Sequence, residues 1–449
     1  MRVPDDEPLP QAKDESVTVH GMAGCEPGML ADWLNRTDQR LPGPRATVGA
    51  SPQVIVDISG PADVLRAARR GLPDGAATAE ALAVRLQRAG RVVAVGPPGR
   101  RVTPREWTAA CFARGRNSIA VARADPSLCT ELQVGSWWEA DWKWRMARRA
   151  ALVNPPLARP ILRRHAGLAG DVAFWQGVRS AASRREWRRF TTSSYVVLCY
   201  HRLAGEMRPG QERMDYSPRR LRRRIGLLRI LGWRPLEPAD LVDFHSRSDA
   251  VLPRRRFVLS VDDAFADAVQ PLSRLGWARP QVFAVTGSTG GTASWLAGEP
   301  VADWPELVAL ARSGAVVGSH AGEHVSLVGL QDDRLLTDLV DSLGILREHL
   351  PVPVPMLAYP HGRHDRRVRA AAVAAGYLAA YTTRHGRNGA GTDVFCLRRM
   401  QPKQDESLTT FLWQVVAGEK RPPPFRKWGA GLVKHFMVLD PGPRRRRAR

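Results

Sequence analysis

Three short stretches of this 449-residue chain carry the residue types that hydrolytic chemistry needs. Asp262 and Asp263 end an apolar run in RFVLSVDDAFAD, His320 and His324 lie in SHAGEH, and Tyr359, Pro360 and His361 lie in AYPHG. A fourth stretch, LCYHR, adds Tyr200 and His201. One carboxylate with two imidazoles is a standard ligand set for Zn²⁺ or a similar divalent ion and leaves positions for water and substrate. Water bound to such an ion is acidified toward neutrality, and a second carboxylate can take its proton as it attacks a carbonyl. Adjacent aspartates suit two jobs, because side chains that diverge along a strand can reach different parts of one site where the chain turns. His320 ends an expected strand and His324 follows four residues later, so both can face one ion. Each piece has an ordinary alternative: a capping Asp pair, a surface His pair, a Pro-Gly turn.

What sets them apart is the element that each one follows. From 195 to about 419, strand-like apolar segments recur at 196–200, 257–261, 281–285, 316–319, 356–359, 378–381 and 394–397. Helical segments fall between most of them, at 218–231, 238–245, 263–275, 304–313, 332–350 and 365–375. About seven such repeats predict an α/β fold, a distorted (β/α)7 barrel of parallel strands. Strand ends of a β/α barrel open onto one face, which would bring the four stretches together.

The segments VDDAFAD, SHAGEH and AYPHG, preceded by LCYHR and in that order, resemble the successive motifs of the NodB-like polysaccharide deacetylases, carbohydrate esterase family four. The likeness covers about residues 195–419 and is nearest to the branch that includes biofilm poly-N-acetylglucosamine deacetylases, where AYPHG-like sequences replace RxPY. It implies a metal-dependent hydrolase that removes N-acetyl groups from an amino-sugar polysaccharide, oligosaccharide or glycolipid. By position, Asp262 would be the general base, and Asp263, His320 and His324 would ligate a divalent ion, zinc. The backbone N–H of His361 would help stabilise the oxyanion, with Tyr359, Pro360 and His201 as substrate contacts. The departures are Ala264 where the family usually has glycine, Ala358 in place of the RxPY arginine, and CLRRM (396–400), which lacks the histidine often used as general acid. His361 and His201 stand in for that acid by location.

The remainder of the chain is less explicit. Residues 1–28 are charged and Pro-rich and read as a flexible arm. Residues 29–135 read as a small α/β, half-Rossmann-like domain, with strands at 54–58, 92–95 and 118–122 and helices at 62–72, 78–89 and 103–113. Its GPPGR lacks the GxGxxG spacing, and prolines remove backbone donors, so no nucleotide is expected there. Residues 136–193 form a Trp/Arg-rich helical connector in which Trp138, Trp142 and Met146 share a helix face. That face suits an anionic membrane surface or packing onto a neighbouring domain. Residues 194–419 are the barrel and 420–449 a basic tail.

Lys and Arg total 67 against 44 Asp and Glu, a net charge of +23, so an anionic partner has to be weighed. Much of the excess is Arg scattered through helices, and nothing resembles a recognition helix or an aromatic-basic RNA motif. A nucleic-acid binder is therefore the third reading, after the deacetylase and a catalytically silent glycan-binding or assembly protein on the same barrel. The five cysteines are odd in number and lack CxxC spacing, which fits a reducing compartment. With neither a secretory signal nor an 18-residue apolar run in view, the expectation is a cytoplasmic protein. Peripheral contact with membrane or glycan-assembling enzymes stays open. The expected partner is an N-acetylated glycan.

Overall fold

A computed structural model of the chain describes residues 16–23, 54–61, 70–72, 81, 82, 84, 85, 103–155, 158, 160, 162, 165–205, 214–350 and 354–422. They divide into two compact units.

In the first unit, strand β1 (Ser16–Ala23) pairs antiparallel with β2 (Val54–Pro61). The expected arm at 1–28 therefore contains a strand, and the strand expected at 54–58 has an antiparallel partner rather than the parallel one of a half-Rossmann unit. Residues 92–95 lie outside the described residues. The third expected strand, 118–122, is helical: it lies inside the helix Pro104–Ala124. Thr103 and Glu106 form a capping box ahead of it, with Glu106 N donating to Thr103 Oγ1 at 3.2 Å and Thr103 N to Glu106 Oε2 at 2.7 Å. No glycine or proline stops the helix between Gly115 and Pro126, and a short apolar run is strand or buried helix according to what precedes it.

A second helix, Ala166–Ala181, packs against the first. A Cβ on Gly115 would lie 2.0 Å from the Phe174 carbonyl oxygen, and one on Gly177 would lie 2.0 Å from that of Phe112, so the two backbones touch at both glycines. The expected connector 136–193 is accordingly divided: this helix belongs to the first unit, and the flanking segments to the second.

The second unit is a barrel. Its strands are β3 (Ser194–Tyr200), β4 (Arg234–Pro235), β5 (Arg256–Asp262), β6 (Gln281–Ala284), β7 (Thr292–Ala293), β8 (Glu299–Pro300), β9 (Val316–Ser319), β10 (Met356–Ala358), β11 (Ala379–Tyr381) and β12 (Asn388–Gly389). The main sheet runs β11-β10-β9-β6-β5-β3-β12, parallel throughout except for β12 on β3. Strand β4 covers the start of β5, while β7 and β8 form a separate antiparallel pair.

The expected seventh strand is displaced. At 394–397 the chain turns, with Asp393 Oδ1 accepting from Phe395 N at 2.9 Å. Residues 397–400 then run between the sheet edges. Leu397 N reaches Ala380 O at 3.0 Å on β11, and Met400 N reaches Val197 O at 2.7 Å on β3. This link closes the ring.

Every residue of β3 is buried, as a parallel strand covered on both faces requires. Val196, Leu198, Phe257, Leu259 and Val261 share an outer core with Leu221, Ile225 and Leu228 of the helix Pro218–Ile230. The alternate positions, Val197 and Cys199 on β3 and Ser260 and Asp262 on β5, then face the barrel interior.

Trp138 ends a 3-10 turn (Gln133–Trp138), and the helix starts only at Trp142, so the two do not share a helix face. Within this unit Arg148 covers the Trp137 ring at 4.8 Å, and Trp142 meets Trp413 edge-on at 5.1 Å. Arg145 Nη2 donates to Ala417 O at 2.6 Å and Arg387 donates to Val415 O, capping the carboxyl end of the helix Leu408–Ala417. Trp137, Trp142, Arg145 and Arg148 of this stretch thus serve packing. Among the described residues no helix is long and apolar enough to cross a membrane.

Candidate active site

Strand alternation decides where the first carboxylate goes. Asp262 is the last residue of β5 and faces inward; the chain then enters a left-handed turn at Asp263 (φ 69°) and Ala264 (φ 51°), which aims the next carboxylate elsewhere. Asp262 Oδ1 accepts from Arg399 Nη1 at 2.6 Å, with both side chains buried. Arg399 Nε is itself held by Thr382 O at 2.8 Å. Oδ2 of Asp262 faces Cys199 Sγ at 3.8 Å and His201 Nε2 at 4.0 Å. Burial pushes the Asp262 carboxyl up, but the Arg399 guanidinium, helped by His320 and His201, brings it well below the usual carboxylate range. Asp262 is therefore ionised. Burial lowers His201 to about 4 and raises the Cys199 thiol to about 12, so both are neutral.

Asp263 is the opposite case. Neither of its buried oxygens has a hydrogen-bond donor; the Trp295 indole lies nearby without closing a bond. Oδ1 instead sits 3.4 Å from His324 Nε2 and 3.6 Å from His320 Nε2, and one ligand atom from each residue lies within 4.8 Å of the others. His320 Nδ1 is 2.6 Å from Ala358 O. A carbonyl only accepts, so Nδ1 carries the proton and Nε2 presents its lone pair to Asp263. Thus Ala358 supplies the carbonyl that fixes the His320 tautomer. The His324 ring is held by stacking on Trp295 at 4.5 Å and 23°. Burial, then the Asp262 charge, pushes Asp263 well up; burial lowers His320, and His324 to about 3. Two buried carboxyl oxygens without a donor, beside two imidazole nitrogens of which His320 Nε2 has its lone pair turned toward them, make a donor set that fits a divalent metal ion.

The loop between the histidines is not a helical turn. Ala321 is left-handed (φ 68°), and the Asp338 carboxylate holds the loop by accepting from Gly322 N at 3.0 Å and Glu323 N at 3.2 Å. His361 (φ 57°) and Gly362 (φ 68°) form a second left-handed turn after β10. A Cβ on Gly362 would lie 2.3 Å from Thr383 Oγ1, so only glycine fits there.

A cavity of about 100 Å³ is lined by His201, Asp262, Asp263, His320, His324 and His361, with Arg399 also on its wall. Tyr359 and Pro360, expected to touch substrate, do not line it. Leu357 and Tyr359 alternate with Ala358 and face an outer core with Val368 and Ala372; Tyr359 donates to Phe395 O at 3.1 Å and stacks on His364.

Arg399 and Asp338 were not marked by the motifs. CLRRM did contain the signal for Arg399, a basic residue on the last strand to join the ring, but its partner is far away in sequence.

Residues 259–380, spanning the paired aspartates, the His320 loop and the His361 turn, match the family model described as Polysaccharide deacetylase. Those residues form a polysaccharide deacetylase domain. No curated protein matches the sequence. Among solved structures, the chain is similar to the Streptococcus pyogenes deacetylase PplD in complex with acetate, at 20% identity over 50% of this chain and 99% of that one, with a TM-score of 0.44. IcaB from Ammonifex degensii gives 22% identity over 50% and 97%, also with a TM-score of 0.44. A de-N-acetylase from Aggregatibacter actinomycetemcomitans gives 16% over 49% and 98%, with a TM-score of 0.41.

Proposed function

We propose that the barrel is a divalent-metal-dependent hydrolase that removes N-acetyl groups from an amino-sugar polysaccharide, oligosaccharide or glycolipid, with zinc as the metal. The observation that carries this reading is the unequal state of two neighbouring carboxylates: Asp262 ionised on Arg399, and Asp263 bare between His320 and His324. Pairs whose environments push them apart in this way can divide base and ligand roles.

Asp263, His320 and His324 would hold the ion, which supplies Lewis acidity for the substrate carbonyl and an acidified water. Asp262 takes the proton of the attacking water as general base. Arg399 acts through Asp262: it holds the carboxylate ionised and fixes its inward rotamer. The backbone N–H of His361, in the left-handed turn after β10, would be the donor for the developing oxyanion. His201 and His361 are the cavity-lining imidazoles outside the ligand set, and through one of them the proton that Asp262 removed from the water passes to the departing amine.

The test is acetate release from an N-acetylglucosamine oligomer. The purified chain should release acetate, lose the activity to a chelator, and lose it again on Asp262→Asn. A metal-loaded protein that releases no acetate from any of a panel of N-acetylated sugars would overturn the hydrolase and favour a glycan-binding role.

A further inference from the structure

On the side of Asp262 that Arg399 leaves free lies a second set of ligand atoms that the proposed hydrolysis does not require as a set. Cys199 Sγ is 3.8 Å from Asp262 Oδ2, and His201 Nε2 is 4.0 Å from the same oxygen. One ligand atom from each of the three residues lies within 4.8 Å of the others. Donors around a tetrahedral ion, with bonds of about 2.0–2.3 Å, are about 3.3–3.8 Å apart. A small contraction would therefore complete three corners of such a site. Cys199 is a free thiol, carried on the inward face of β3 beside β5, where amide hydrolysis by a carboxylate base has no use for sulfur.

The chemistry of the donors selects the ion. Thiolate with imidazole and carboxylate favours zinc or cadmium over magnesium, calcium or manganese. We propose that Cys199, His201 and Asp262 form a second, thiolate-bearing cation site that takes zinc or cadmium in excess and, when filled, silences the general base. Binding forms a bond from the ion to Sγ and releases the thiol proton to solvent. Arg399 stays on Oδ1, and the thiolate adds the negative charge that offsets the incoming ion beside that guanidinium. The binding claim stands on the three residues alone; the silencing claim rests on the hydrolase reading above.

Cobalt(II) separates the two claims. Titrated into the full chain, it should first fill the oxygen and nitrogen ligands around Asp263. With the second equivalent it should develop a thiolate-to-cobalt charge-transfer band in the near ultraviolet. That band should be absent from both Cys199→Ser and Cys199→Ala, two variants guarding against the misfolding of one. A wild-type chain without the band overturns the site. So does a band that survives in both variants, which would hand the ion to Cys396, whose Sγ lies 3.3 Å from His364 Nε2. In the activity arm, wild-type acetate release should be lost as zinc exceeds one equivalent, while Cys199→Ala resists; equal inhibition of both overturns the silencing. Absence of acetate release under every condition sinks the hydrolase reading instead, and the cobalt band still decides the metal site.

Discussion

At the helix crossing of the first unit, glycine stands at both points where backbones touch, Gly115 and Gly177. At the strand ends of the barrel, Asp263, Ala264, Ala321 and His361 hold left-handed backbone without being glycine. The first region relieves its steric problem by residue choice. The second keeps conformations that cost about 1–2 kcal/mol per residue and that the surrounding structure must enforce. Strain is not confined to the site, since Arg255, Arg279 and Ala297 are also left-handed among the described residues. Only at the ends of β5, β9 and β10, however, does it aim residues into one cavity. The turn at Asp263 explains why two adjacent carboxylates meet different partners, and the turn at His361 places that residue on the wall of the same cavity.

This contrast can be broken or sharpened by substitution. The largest effect belongs to the site itself: Asp262→Asn should lower acetate release by about 10²–10⁴-fold, the range for a lost general base, while circular dichroism stays native. A decrease of less than tenfold would remove Asp262 from that role. Next, Arg399→Met strands a buried carboxylate and should cost about 3–5 kcal/mol in urea unfolding, with Arg399→Lys losing less. An unchanged midpoint would mean that Asp262 finds another partner.

At the helix crossing, Gly115→Ala places a methyl against the Phe174 carbonyl and should destabilise by about 1–3 kcal/mol without altering activity in the barrel. A neutral result would show that the helices can separate at no cost. Smallest of all, Ala264→Gly removes the left-handed penalty but adds chain entropy to the unfolded state, for a net gain under about 1 kcal/mol. If that variant unfolds earlier than wild type, the turn is not strained.

The barrel strands were legible because parallel strands buried on both faces are written as continuous apolar runs, and the motifs were legible because each follows one of those runs. Arg399 was hidden for a simple reason. Its partner Asp262 is 137 residues away, and a salt bridge between two barrel strands leaves no local pattern. The same holds for Asp338, which reaches back from the helix Asp332–His349 to hold the loop at Gly322. The misplaced seventh strand shows the limit of composition: Val394 and Phe395 are apolar, but Asp393 turns the chain there, and before Leu397 only Val394 O meets β11, accepting from Ala380 N at 2.9 Å. In the first unit, the run at 118–122, expected as a strand, continues the helix that the capping box at Thr103 starts.

The inequality of the two aspartates is tested most directly by elemental analysis of the purified chain after dialysis against trace zinc. The wild type should retain one tightly held equivalent; Asp262→Asn should retain it as well, and Asp263→Asn should lose it. Retention in Asp263→Asn with loss in Asp262→Asn would reverse the assigned roles and contradict the account.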